Sequence, residues 1–227
     1  MLKKTLGAGL WLYGSMAALF LFGCGNRTVE KGEICLRLGD YPMAISFFSE
    51  EVKRHPESFD ARLGLGKALL QQGCANASDT IAWKDAIIQL EAAATLSPRD
   101  NVSALLSEAY LQRAHVLLSS KDSIGALDAL SRAIERNNRA IEPINLAGII
   151  YFRMGETDKA QALFAKATAL DSVNPAARFN LGMVYWQAGR IDEARNQWFA
   201  ALAASPKDKD IVYWCAVAEK KKRDMAR

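Results

Sequence analysis

The sequence predicts an all-α chain of stacked helix pairs, and three observations predict it. Half of the 227 residues are hydrophobic and 24% are charged, a balance that suits a folded chain and not a disordered one. A set of small and large apolar residues recurs every 34 positions. Glycine and proline punctuate that set at constant offsets, where helices would have to stop.

The register is clearest near the C-terminus. Gly182, Tyr185, Gly189, Ala194, Trp198, Ala201 and Pro206 form one unit, and 34 residues earlier the same slots hold Gly148, Tyr151, Gly155, Ala160, Phe164, Ala167 and Ser172. A further shift gives Ala114, Leu117, Lys121, Ala126, Leu130, Ala133 and Asn138, so the glycine slots decay while the alanine and large-apolar slots persist. Gly66, Leu69 and Gly73, then Ala86, Leu90, Ala93 and Pro98, fit with an insertion around 74–79; Gly32, Gly39, Ala44, Phe48 and Pro56 mark the first unit. A second insertion lengthens the first helix of the third unit, 101–119.

The slots have a packing rationale. Small residues at 182 and 194 allow two helices to cross closely, and Tyr185 and Trp198 fill the space around that crossing. Gly155 and Gly189 stand where a left-handed cap ends a first helix. Asp158, Asp192 and Glu193 open second helices, where acids complement the helix dipole. Ser78 or Asp79 is placed to cap the helix that runs to Leu96. No single pair buries enough surface alone, so stability comes from stacking.

A 34-residue period with small residues at Gly182 and Ala194, aromatics at Tyr185 and Trp198 and a proline at Pro206 resembles the tetratricopeptide repeat. The resemblance implies a right-handed superhelical α-solenoid of antiparallel helix pairs. About five repeats would span 24–208, with starts near 25, 59, 101, 141 and 175. Residues 209–227 would form a capping helix with a basic end, sealed to the last repeat by Ile211, Val212, Cys215 and Ala218. The resemblance further implies that first helices line an inner, partner-binding face. Helical spacing then turns Leu146, Ile149, Phe152 and Arg153 inward, followed by Phe179, Asn180, Met183 and Trp186 and by Tyr213 and Trp214. That is an apolar, aromatic groove suited to an amphipathic helix or an extended apolar peptide. Members of the family that clamp a C-terminal carboxylate repeat Lys and Asn on this face. Here only Asn145, Asn180 and Arg153 stand near such positions, which argues against a clamp.

The N-terminus reads differently. Lys3 and Lys4 precede an uncharged run from Leu6 to Gly23, and Cys24 follows. This is the layout of a secretory signal, over 1–23. Leu21-Phe22-Gly23-Cys24 resembles a bacterial lipobox, with Phe22 where a smaller residue is usual. That likeness implies cleavage before Cys24 and lipid on its sulfur. An uncleaved membrane anchor is the alternative, since a run of this length is at the lower limit for a spanning helix. Gly25 after the cysteine resembles the form sent to an outer membrane. Either reading puts the remainder in the cell envelope, on the periplasmic side.

Charge and motifs narrow the function. Removing 1–23 takes away two lysines and no acid, lowering the net charge from +4 to +2, too little to argue for nucleic acid. Lys220-Lys221-Lys222-Arg223 reads as a solvated helix end. Cys35, Cys74 and Cys215 have no metal-like spacing, and two of them could pair in an oxidising compartment. His55 and His115 stand 60 residues apart without a supporting acid or cysteine pattern. No phosphate loop, CxxC, HExxH or nucleophile elbow occurs, so neither catalysis, a metal nor a cofactor is expected. The expected function is a membrane-anchored scaffold that binds envelope proteins or peptides. The alternatives are a dimerising envelope spacer, or a noncatalytic subunit of an outer-membrane assembly, pilus or secretion complex.

Overall fold

The computed structural model describes residues 27–76, 80–98 and 100–226. The signal-like segment 1–23, Cys24 and the caps expected at Ser78 and Asp79 lie outside them. The described residues form eleven helices and no strand. These are α1 (27–38), α2 (Tyr41–Arg54), α3 (Phe59–Ala75), α4 (Thr80–Leu96), α5 (Asp100–Ser119), α6 (Ser123–Arg136), α7 (Ile141–Arg153), α8 (Thr157–Leu170), α9 (Pro175–Gln187), α10 (Ile191–Ala204) and α11 (Lys209–Met225). The chain divides into two compact units within α5, between Leu105 and Leu106. In each, consecutive helices pack in pairs: α2 on α3 and α3 on α4 in the first, and α6 through α11 each on its neighbour in the second. This is an all-α, solenoid-type arrangement.

The helix ends follow from their sequence. Asp40, Ser58, Asp122, Asn174 and Asp208 accept hydrogen bonds from backbone N–H groups of the first turns of α2, α3, α6, α9 and α11. Pro42 and Pro175 sit where no N–H partner is required. Between the paired helices, Gly39, Gly155 and Gly189 take left-handed φ values of 78°, 80° and 73°. The third unit holds Lys121 in that place at φ 64°, a strained position for a side chain.

The insertion around 74–79 is absorbed mainly as helix. Both α3 and α4 run for 17 residues, against 13 and 14 for α9 and α10. Nothing in Gln71-Gln72-Gly73-Cys74-Ala75 breaks the first helix before Asn76, so it continues for another turn.

The core repeats with the sequence. Phe48, Leu90, Leu130, Phe164 and Trp198 are buried on the second helices, each four residues after a buried alanine: Ala44, Ala86, Ala126, Ala160 or Ala194. Three residues beyond each large side chain lie Ala93, Ala133, Ala167 and Ala201, all fully buried. In the first repeat the same slot holds Glu51, 3% exposed. Its Oε2 has no hydrogen-bond partner, and its Oε1 lies 3.9 Å from Nε2 of the exposed His55.

Candidate protein-binding face and an aromatic cluster

Trp198 organises the end of the second unit. Its ring covers Gly182, where a Cβ would come within 2.6 Å of Cδ1. Its Nε1 donates to the Phe179 carbonyl at 3.0 Å, tying α10 to α9. The rings of Trp214, Trp186 and Phe179 surround it with centroids at 5.1, 5.6 and 6.4 Å. Trp186 and Trp214 meet edge to face at 5.8 Å, and Tyr213 packs edge-on against Trp214 at 5.7 Å. Close aromatic pairs in these geometries add to the gain from buried area.

The ten groove positions expected from the sequence therefore fall into separate environments. Phe179, Met183, Trp186 and Trp214 are half-buried and pack on the core of Ala194, Trp198, Ala201 and Ile211. Ile149 and Phe152 pack on Phe164, Leu181 and Val184. Leu146 packs against the cluster of Leu111, Ala114 and Leu130. Arg153 is exposed, and Tyr213 is 61% exposed. Asn180 donates from Nδ2 to Oδ1 of Asn145 at 3.0 Å, joining the first helices of consecutive pairs, α7 and α9.

Between α9 and α11 lies a cleft of about 200 Å³, lined by Pro175, Ala176, Phe179, Asn180, Asp208, Asp210 and Ile211. Asp208 is engaged as the α11 cap, its Oδ1 accepting from the N–H groups of Asp210 and Ile211 at 3.0 and 3.2 Å. The cleft offers an aromatic face, an amide and an acidic edge. Periodicity could not show it, because the cleft forms only where the start of α9, at Pro175, lies beside the start of α11, capped by Asp208.

The capping helix differs in detail from the expected stripe. Ile211, Cys215 and Ala218 are buried, whereas Val212 is 46% exposed. Positions 211, 215 and 218 follow helical spacing, and a side chain one residue on points about 100° away. Burial raises the Cys215 thiol pKa above its ordinary value. Lys222 reaches Asp192 at 2.6 Å and holds that carboxyl below the usual range, while Arg195 pairs with Glu219. One member of the basic run thus ties the helix back to α10. Cys35 is half-buried and Cys74 exposed; the described cysteines form no disulfide.

Among the described residues no group of three or more His, Cys, Asp or Glu could hold a metal ion, and no helix is long and apolar enough to cross a membrane. His115 faces Glu142 at 3.9 Å on the surface.

A family model of the tetratricopeptide repeat matches residues 29–75 and 145–209, the stretches that hold α1–α3 and α7–α10. The chain is a tetratricopeptide repeat protein. No curated protein sequence matches it. Among solved structures, this tetratricopeptide repeat chain is similar to the MamA protein: 26% identity over 81% of this chain and 92% of that one, TM-score 0.57. It shares its fold with YrrB, described as a tetratricopeptide protein with an unusual peptide-binding site, at 18% identity over 92% and 98% of the two chains, TM-score 0.58. The first tetratricopeptide domain of Spaghetti (RPAP3), solved with an HSP90 peptide, aligns at 12% identity over 53% of this chain and 98% of its own, TM-score 0.51. The repeats place the chain in a family of protein-interaction scaffolds.

Proposed function

We propose that this tetratricopeptide repeat protein is a noncatalytic adaptor, tethered to a bacterial envelope membrane through lipid on Cys24, that holds a protein or peptide on the face of α7, α9 and α11. The observation that carries the binding face is the α9–α11 cleft, where the half-buried Phe179 offers apolar surface beside the amide of Asn180, over a floor that includes the buried Ile211. Tyr213, on another side of α11, presents a second exposed ring, 61% accessible. Such a mixture of aromatic anchors and few polar groups suits a peptide with apolar side chains. Trp186 and Trp214 serve this face indirectly: they fix its shape by packing on Trp198. The fold shared with two peptide-binding tetratricopeptide proteins supports the reading.

The test is co-purification of the detergent-extracted full chain with envelope proteins, using Tyr213→Ala with Asn180→Ala. A fixed partner should be lost by tenfold or more while the circular dichroism melt stays in place. Unchanged capture overturns this face. Intact mass of the extracted chain, with Cys24→Ser alongside, tests the tether. Loss of 1–23 with added acyl chains, absent in the variant, is expected. A full-length unmodified mass overturns the lipid attachment.

A further inference from the structure

We propose that one face of α1 lies on the membrane surface and orients the protein there, an inference that rests on the Cys24 tether proposed above. The starting observation is an apolar pair that the fold leaves uncovered: Ile34 is 47% and Leu38 78% exposed. They share a helical face with Arg27 and Lys31, since spacings of four, three and four residues stack side chains on one side. Both cations are exposed.

The other sides of α1 are occupied. Gly32 is buried against the ring of Phe48, so that side meets α2. Glu33, Leu36 and Arg37 face a cleft shared with Asp60, Leu63, Gly64 and Lys67 of α3. The side of Arg27, Ile34 and Leu38 turns away from both, with Lys31 at its α2 edge, its Nζ 5.9 Å from the centre of the Phe47 ring, and the exposed Glu30 at its other flank.

Two arguments commit this stripe to a lipid surface. The first is chain length. Cys24 is three residues before Arg27, and three residues span at most about 11 Å even when fully extended. A lipid on Cys24 therefore holds the start of α1 within about that distance of the headgroups. The second is chemistry. Apolar residues and cations on one helix face are the composition of helices that lie in a bilayer interface, where the apolar side chains enter the acyl boundary and the cations meet anionic headgroups. Acyl chains supply the affinity, so the stripe determines which way the repeats face.

The experiment uses the full chain, extracted in detergent and returned to vesicles of phosphatidylethanolamine and phosphatidylglycerol. The photo-crosslinking residue p-benzoylphenylalanine replaces Leu38, or, as a control, Val173, which is 68% exposed in the second unit. Vesicle-bound protein is isolated by flotation and irradiated. Lipid adducts are expected from position 38 at five times the yield from position 173 or more. Charge reversal by Arg27→Glu with Lys31→Glu is expected to lower that yield at least threefold without reducing flotation. Flotation with no lipid adduct at position 38 overturns the orienting face and leaves the tether intact. Adducts between two copies of the chain also overturn it, making α1 a dimer edge. Failure to float removes the tether and this inference with it.

Discussion

Gly182→Ala is the sharpest test of the close-packing argument. A Cβ at position 182 would lie 2.6 Å from Trp198 Cδ1 and 2.9 Å from Cε2, and nearer still to Nε1. Carbon contacts are best at roughly 3.5–4.0 Å, so the indole must retreat by about 1 Å. It has nowhere to go: Trp198 is fully buried, hydrogen-bonded to the Phe179 carbonyl and enclosed by Trp186 and Trp214. Overpacking of this kind costs about 1–3 kcal/mol. Loss of the buried Nε1 bond adds about 1–2 kcal/mol. Alanine returns about 1 kcal/mol of helix propensity. The net expectation is a destabilisation of about 1–4 kcal/mol, from the sum of these terms. Urea unfolding followed by tryptophan fluorescence and circular dichroism in parallel would read it. The double variant Gly182→Ala with Trp198→Leu reproduces the Ala114 and Leu130 pair of the third repeat. It should therefore be more stable than additivity allows, by about 1 kcal/mol or more. An unchanged midpoint for Gly182→Ala, or strict additivity in the double variant, would refute the reasoning.

Three further outcomes follow from particular residues. Glu51→Met keeps the side-chain volume and removes the orphaned Oε2, so it should raise stability by about 1–2 kcal/mol, with only a small loss from the exposed His55 contact. A lower urea midpoint would mean that the carboxylate is stabilising in place. Lys121→Gly should stabilise by about 0.5–1 kcal/mol by relieving the left-handed backbone, and Gly155→Ala should destabilise by a similar amount; thermal melts of the two variants moving in the same direction would contradict this. Thiol labelling at mildly alkaline pH should modify Cys74 first and Cys215 last, because burial both shields the latter and raises its pKa; equal rates for the two would show that the α10–α11 packing opens freely.

The fold was legible because each helix pair reuses one set of local contacts. An alanine and a large apolar residue four positions on recur in every pair, and another alanine follows three positions later in all but the first, where Glu51 stands. The period therefore survives even where Lys121 replaces a capping glycine or Leu130 replaces an aromatic residue. The candidate face was only partly legible. Helical spacing assigns residues to a face of the first helices, but it cannot say whether a half-buried ring meets solvent or another ring. Phe179, Trp186 and Trp214 turn toward Trp198 because a buried indole supplies both apolar surface and a hydrogen-bond donor, which is long-range information.

By itself, then, the sequence determined the helical class, the repeat family and the small residues at the crossings, all consequences of short-range periodicity. Tertiary structure alone decided that Glu51, in an alanine slot, is buried without a partner for Oε2. It also decided that Asp208 meets Phe179 and Asn180 around one cleft, and that Ile34 and Leu38 remain uncovered. Each of those depends on which surfaces distant segments bring together, and no local pattern encodes that.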